Sequence, residues 1–207
     1  MDSSNSIDPN VFNTFVSASR GCSSADSSIR KEAEKYFQTV RHSDNCLQLC
    51  RAMLENSSPQ LPYTDRLHVQ FHAAHILCSA CLDHWDRMDA ISRKQLRNYL
   101  FDLAIKSSAA EKGSPSFMAP SVMNKLLQAH AILWKRGWLE EGIQGESYPI
   151  LEKMEKIFLQ ALSTQAFAVI AVLGESILAA LQEFNSKSSS SVGLTLEWHR
   201  KTKLSFQ

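Results

Sequence analysis

The stretch TDRLHVQFHAAHILCSACLDHW, Thr64 to Trp85, decides how this chain reads. Leu67, Phe71, Ala74, Cys78, Cys81 and Trp85 recur at steps of three and four residues, which stacks them on one side of a helix. Val69, Ala73, Ile76 and Ala80 form a second apolar line on the far side. A helix that is apolar on two sides is buried between neighbours. The stretch is therefore expected to be an inner helix flanked by helices before and after it.

The same periodicity extends outward in both directions. Ile29, Ala33, Phe37 and Val40 make one stripe. Cys46, Leu47, Cys50, Met53 and Leu54 make another. Further on come Leu96, Tyr99, Leu100, Leu103 and Ala104, then Val122, Leu126, Ala129 and Leu133. Leu151, Met154, Phe158 and Ala161 follow, and finally Phe167, Ile170, Ala171, Ile177, Leu178 and Leu181. No strand alternation interrupts them. Breaks are expected at Ser57-Ser58-Pro59 with Pro62, at a loop from Ser107 to Ser116 holding Lys112-Gly113-Ser114-Pro115, and at Gly137, Gly142 and Gly145. Ser43 is placed to cap the helix that follows it, its hydroxyl accepting a free backbone N–H.

The helices come in pairs. Ala33, Ala74, Ala129 and Ala171 take similar places in the second helix of each pair, 41, 55 and 42 residues apart. The longer interval contains the Ser/Gly/Pro loop as an insertion. A period near 40 residues with two helices per unit marks a HEAT-type repeat, in which stacking buries faces that one hairpin leaves bare. The expected fold is all-α, an α-α superhelix of paired antiparallel helices. Residues 1-24 read as a lead-in with a possible short helix, 25-185 as helical repeats, 186-192 as a Ser-rich linker, and 193-207 as the first helix of a further repeat.

Composition narrows the function. The 207 residues are 44% hydrophobic and 21% charged, with 22 Lys+Arg against 21 Asp+Glu. A net charge of +1 is a poor match to nucleic acid or a membrane surface, both of which attract a basic excess. Met1 to Arg20 contains no secretory pattern. Ile157 to Gly174 is uncharged over 18 residues, near the roughly 20 that a membrane span needs. Gln160, Ser163, Thr164 and Gln165 interrupt it, so two amphipathic helices with a break at Ser163-Thr164 are expected instead.

Several groupings suggest chemistry. Cys46, Cys50, Cys78 and Cys81 would make a zinc or redox site if they converged, but they sit at core positions, where cysteine acts as a small apolar residue. His68, His72 and His75 share one helix flank, and the residue after His68 is Val69, so the general base of a His-Glu-x-x-His site is missing. Asp83, Asp86 and Asp89 around Trp85 read as solvated helix-end charges. Trp134 and Trp138 straddle Lys135-Arg136, too few cations to follow a nucleic-acid backbone. No nucleophile elbow, phosphate-binding loop or dinucleotide fingerprint is present. The chain is expected not to be an enzyme and to need no metal or cofactor.

Three segments carry a resemblance. Ile29-Arg30-x-x-Ala33-Glu34-x-x-Phe37 resembles the first repeat of the importin-β (karyopherin-β) family of nuclear transport receptors. Met53-Leu54-Glu55-Asn56-Ser57 followed by Val69-Gln70-Phe71-His72-Ala73-Ala74 is similar to its second repeat. Lys125-Leu126-Leu127-Gln128-Ala129, running into Lys135-Arg136-Gly137-Trp138-Leu139-Glu140, continues the match, and Ser191-Val192-Gly193-Leu194-Thr195 extends it. Departures are Gln70 and Met123, where the family commonly has Arg, and Cys78-Ser79, where it commonly has Lys-Asn. The resemblance implies that the chain is the N-terminal part of a longer receptor. It implies Ran-GTP as partner, with protein cargo and nuclear pore proteins engaged mainly by other repeats, and shuttling between nucleus and cytoplasm. It places Ran contacts at Arg30, Lys31, Glu34 and Lys35, and at Gln70, Asn124, Lys125 and Gln128 on the next two inner helices. A helical-repeat scaffold indifferent to Ran is the alternative.

Overall fold

A computed structural model describes residues 7–55, 61–114, 116–142, 149–184 and 195–206. Every regular element among them is helical. The Ser-rich linker, Gly145, and the Ser57-Ser58-Pro59 break lie outside the described residues. The chain divides into two compact units, Met1–Asp83 with Glu111–Lys125, and His84–Ala110 with Leu126–Gln207.

The first unit is built from α1 (Pro9–Gly21), α2 (Ser27–His42), α3 (Cys46–Glu55) and α4 (Tyr63–Asp83). The lead-in holds a full helix. Asp8 accepts the Asn10 N–H at 2.8 Å, Pro9 occupies the first turn, and Phe15, Val16 and Ser19 are buried. Asp26 caps α2 in the same way through Ser28 N–H at 2.7 Å. Gly21 lets α1 end close against α2, since a Cβ there would stand 3.1 Å from Ala33 Cβ. Ser43 does not cap α3. Its hydroxyl donates to Val40 O at 2.7 Å, closing α2 instead, since a hydroxyl one residue past a helix end reaches back to a free carbonyl.

α4 packs against α1, α2 and α3. Val69, Ala73 and Ala80 are fully buried on one side, and Ala74, Leu77 and Cys81 on the other. The expected two-sided burial therefore holds, with a shift of register. The first line loses Phe71, which is exposed, and Leu67, which is half-buried. The lost positions are replaced by Arg66 and Gln70, both buried. Arg66 donates to Gly113 O, where the loop turns with φ +96°, a left-handed backbone that favours glycine.

The second unit opens with a 3-10 turn at Trp85–Arg87, followed by α5 (Ala90–Ser108). Asp89 caps α5, accepting Ser92 N–H at 2.6 Å. Next come α6 (Pro120–Gly142), whose residues from Leu126 belong to this unit, α7 (Pro149–Ser163), α8 (Phe167–Glu183) and α9 (Leu196–Phe206). Its core joins Phe101, Trp134, Trp138, Ile150, Met154, Val169 and Leu173. α8 packs against α5 and α7. Gly137 does not break α6: it is buried within the helix, and burial of Trp138 beside it outweighs the ~1 kcal/mol helix cost of a glycine.

The break at Ser163-Thr164 is present. α7 ends at Ser163, Gln165 takes the left-handed conformation (φ 55°), and Ala166 N–H reaches Ala161 O at 2.8 Å. With Gln165 N–H on Leu162 O at 3.2 Å, this is a Schellman closure. Among the described residues no helix is long and apolar enough to cross a membrane. The expected stripe on α8 is the largest departure: Phe167, Ala171, Ile177, Leu178 and Leu181 are exposed, while Val169, Val172, Leu173 and Ala180 face inward.

Candidate functional site

The sequence placed its partner contacts on α2, α4 and the start of α6, so the first unit is built up from those elements. Ala33, Phe37 and Val40 pin one side of α2 to the core. The 3.6-residue period then forces Lys31, Glu34 and Lys35 to the opposite side, and all three are exposed. Arg30 is half-buried and differently employed. Its guanidinium donates to Ser24 O at 2.6 Å and Ala25 O at 2.9 Å, tying the α1–α2 turn to the helix that follows. An open groove of about 260 Å³ lies between α1 and α2, lined among others by Ala18, Gly21, Ile29, Glu32, Ala33 and Tyr36.

On α4 the contact expected at Gln70 is corrected: Gln70 is fully buried and offers nothing to a partner. It lies on the Arg66–Ala73–Leu77 line, all of it inside the unit. The exposed side of α4 carries His68, Phe71 and His75 instead. The signal was in the spacing, because His68, Phe71, His72 and His75 follow the helical period on the side opposite Gln70. His72 is wedged inward, stacked on Phe37 at 4.7 Å between ring centroids. Burial, with lesser effects from His68 and His75, holds its pKa down at about 4. His75 stacks on Phe71 at 6.3 Å. Its pKa is also lowered, chiefly by burial and then by the charges of Lys125 and Arg41. Asn124 is exposed, and Lys125 is half-buried. Gln128 is half-buried and belongs to the second unit.

The four cysteines lie in the core. Cys46 opens α3, and Cys46, Cys50, Cys78 and Cys81 are all buried free thiols. Cys46 and Cys50 interact with each other, which lowers the Cys46 pKa and raises that of Cys50. Burial pushes Cys81 well up. Among the described residues no group of three or more His, Cys, Asp or Glu side chains is arranged to hold a metal ion.

The charged and aromatic groupings resolve separately. Asp83 pairs with Arg41 in the first unit, and Asp89 is a helix cap. In the second unit Trp85 is covered by Arg93, 4.3 Å from its ring centroid, and by Arg136 at 5.6 Å. Trp134 and Trp138 are buried with their rings 6.0 Å apart, so they pack rather than stack bases. Lys135 is also buried, and burial lowers its pKa against the opposing effect of Glu183. No family model matches the chain, and no solved structure matches it.

Proposed function

We propose that this chain is the Ran-GTP-contacting portion of an importin-β-like nuclear transport receptor, most similar to the N-terminal part of exportin-4, with its helix pairs stacked as a HEAT-type superhelix. It acts by binding and not by catalysis. The observation that carries the reading is α2. Its Ala33 and Phe37 are buried while Lys31, Glu34 and Lys35 face solvent, which is the arrangement that the resembled repeat would need to present mixed charge to a polar GTPase surface. In the full receptor, cargo and Ran-GTP favour the same curvature, so each raises the other's affinity. Cargo and pore proteins engage other repeats, and the receptor shuttles between nucleus and cytoplasm.

The test is binding of the purified chain to Ran loaded with GTP or GDP. The GTP form is expected to bind at least about tenfold tighter, with modest affinity because a short repeat array offers little area. Charge reversal at Lys31→Glu and Glu34→Lys should abolish that preference and leave helicity unchanged. Equal affinity for the two nucleotide forms overturns the reading. Two observations favour the alternative of a Ran-indifferent scaffold: Gln70 is buried, and Arg30 is engaged by loop carbonyls. That alternative predicts no response to the charge reversal.

A further inference from the structure

The loop that joins α5 to α6 meets α4 through one cation, and that cation is short of an anion. Arg66 is 6% exposed, so little of it reaches water. A guanidinium stays protonated throughout the physiological range, and a buried charge is expected to be paired. Arg66 is not. Its Nη2 donates to Gly113 O at 3.2 Å, a neutral acceptor, and its guanidinium carbon stands 5.3 Å from the Tyr63 ring centroid. Its Nε–H is buried with no hydrogen-bond partner. The adjacent carboxylate is committed elsewhere, since Asp65 holds Arg20 through both oxygens, at 3.1 and 2.7 Å. Among the described residues no carboxylate pairs with Arg66.

The residue directly after that contact is Ser114. Its hydroxyl is likewise buried with no partner. The backbone on either side is held, Ser114 N–H on Glu111 O at 3.0 Å and Phe117 N–H on Ser114 O at 3.1 Å. Moving Ser114 Oγ out of its place therefore breaks no side-chain hydrogen bond. Space adjoins it: Gly113 is exposed, and a Cβ added there would meet nothing within 4 Å. Glu111 and Lys112 are both exposed, and their charges cancel. In sequence Ser114 precedes Pro115, within Lys112-Gly113-Ser114-Pro115-Ser116, and a serine followed directly by proline is the recognition element of proline-directed protein kinases. A serine phosphate brings a charge near −2 and three acceptor oxygens. The fork of an arginine matches such a group with two parallel hydrogen bonds.

We propose that Ser114 is a phosphorylation site whose phosphate is held by Arg66, fastening the α5–α6 loop to α4. The γ-phosphoryl of ATP passes to Ser114 Oγ: the Oγ–P bond forms, the bond joining the β- and γ-phosphates breaks, and ADP and the hydroxyl proton leave. The phosphate then accepts the Arg66 Nε–H. The site is independent of the Ran reading. The full chain, carrying Ser58→Ala to remove the other Ser-Pro pair, is treated with a proline-directed kinase and Mg-ATP. Mass spectrometry should place a phosphate on Ser114. The thermal midpoint should rise by about 3 °C, and phosphorus NMR should show the second phosphate pKa about one unit below its ordinary value of about 6. Arg66→Gln should return that pKa to about 6. In proton–nitrogen NMR the Arg66 Nε–H signal, assigned by its loss in Arg66→Lys, should move downfield on phosphorylation, a reading made on the native arginine even if Arg66→Gln fails to fold. A chain that takes no phosphate at Ser114 overturns the proposal. So does a phosphate that leaves the Nε–H signal and its own pKa unmoved, or one that lowers the midpoint. An equal movement of the Nε–H signal when millimolar inorganic phosphate is added to the Ser114→Ala chain overturns it too, by assigning Arg66 to a free anion.

Discussion

α4 and α8 are both long helices with apolar residues on two sides, and they end in opposite environments. α4 is packed by three helices of its unit, so that between its end residues the exposed positions are His68, Phe71 and His75. α8 is covered on one side by α5 and α7 and leaves Phe167, Leu178 and Leu181 bare. The difference shows in residue size. The innermost positions of α4 include Ala73, Ala74 and Ala80, which let neighbours approach from several directions. α8 keeps its bulk on the outside, where close approach has not been required.

The largest expected effect tests this contrast directly. Leu77 is fully buried on α4, and Leu77→Ala should destabilise the chain by about 3 kcal/mol, the transfer loss plus a cavity. Leu178→Ala should cost under about 0.5 kcal/mol. Urea denaturation followed by circular dichroism measures both. Equal losses would break the comparison.

The covered side of α8 differs from that of α4 in a second way, because it meets a histidine. Ser176 Oγ lies 3.4 Å from His130 Nδ1, and His130 is fully buried against Phe101. Burial, then Arg97 and Lys153, hold its pKa down at about 3, against about 6.5 in the unfolded chain. Below pH 6.5 the unfolded state takes up a proton that the folded state refuses. Stability is therefore intact above that pH and is lost as pH falls toward 3. Between pH 6 and 4.5 the loss is expected to be about 2 kcal/mol. His130→Phe should flatten that part of the pH–stability curve, and an unchanged slope would exclude His130 as its source.

The smallest effect concerns how α8 begins. Gln165 holds a left-handed backbone that costs a non-glycine residue free energy. Gln165→Gly should raise stability by about 0.5 kcal/mol, the relief of strain exceeding the added freedom of the unfolded chain. A fall in thermal midpoint would show that the Gln165 side chain stabilises the turn in another way.

The two regions also differ in how legible they were. The α4 stretch was legible as a helix buried on two sides, but only the Val69–Ala73–Ile76–Ala80 line is covered along its whole length, while the other line loses Leu67 and Phe71. Its polar residues did not sort so well. Gln70 and His68 are equally polar by type, yet one is buried and the other exposed, and composition does not separate them. On α8 the period was legible but its meaning was inverted. Phe167, Leu178 and Leu181 are bulkier than Val169, Val172 and Ala180, so the stripe that looked like core is the one facing solvent. On α2 the exposed Lys31, Glu34 and Lys35 followed from burial of Ala33 and Phe37, while the role of Arg30 as a turn clasp depended on loop carbonyls that no spacing reveals.

Helix content, the break at Ser163-Thr164 and the charged face of α2 were determined by sequence alone. Each depends on periodicity or side-chain chemistry within a few residues, and backbone geometry converts such patterns into local structure without reference to the rest of the chain. Which apolar face of a helix is covered, where Gln70 and Arg66 come to rest, and how low the His130 pKa falls were decided only by tertiary packing. Burial is a property of neighbours distant in sequence, and a helix carries no local mark of which side those neighbours occupy.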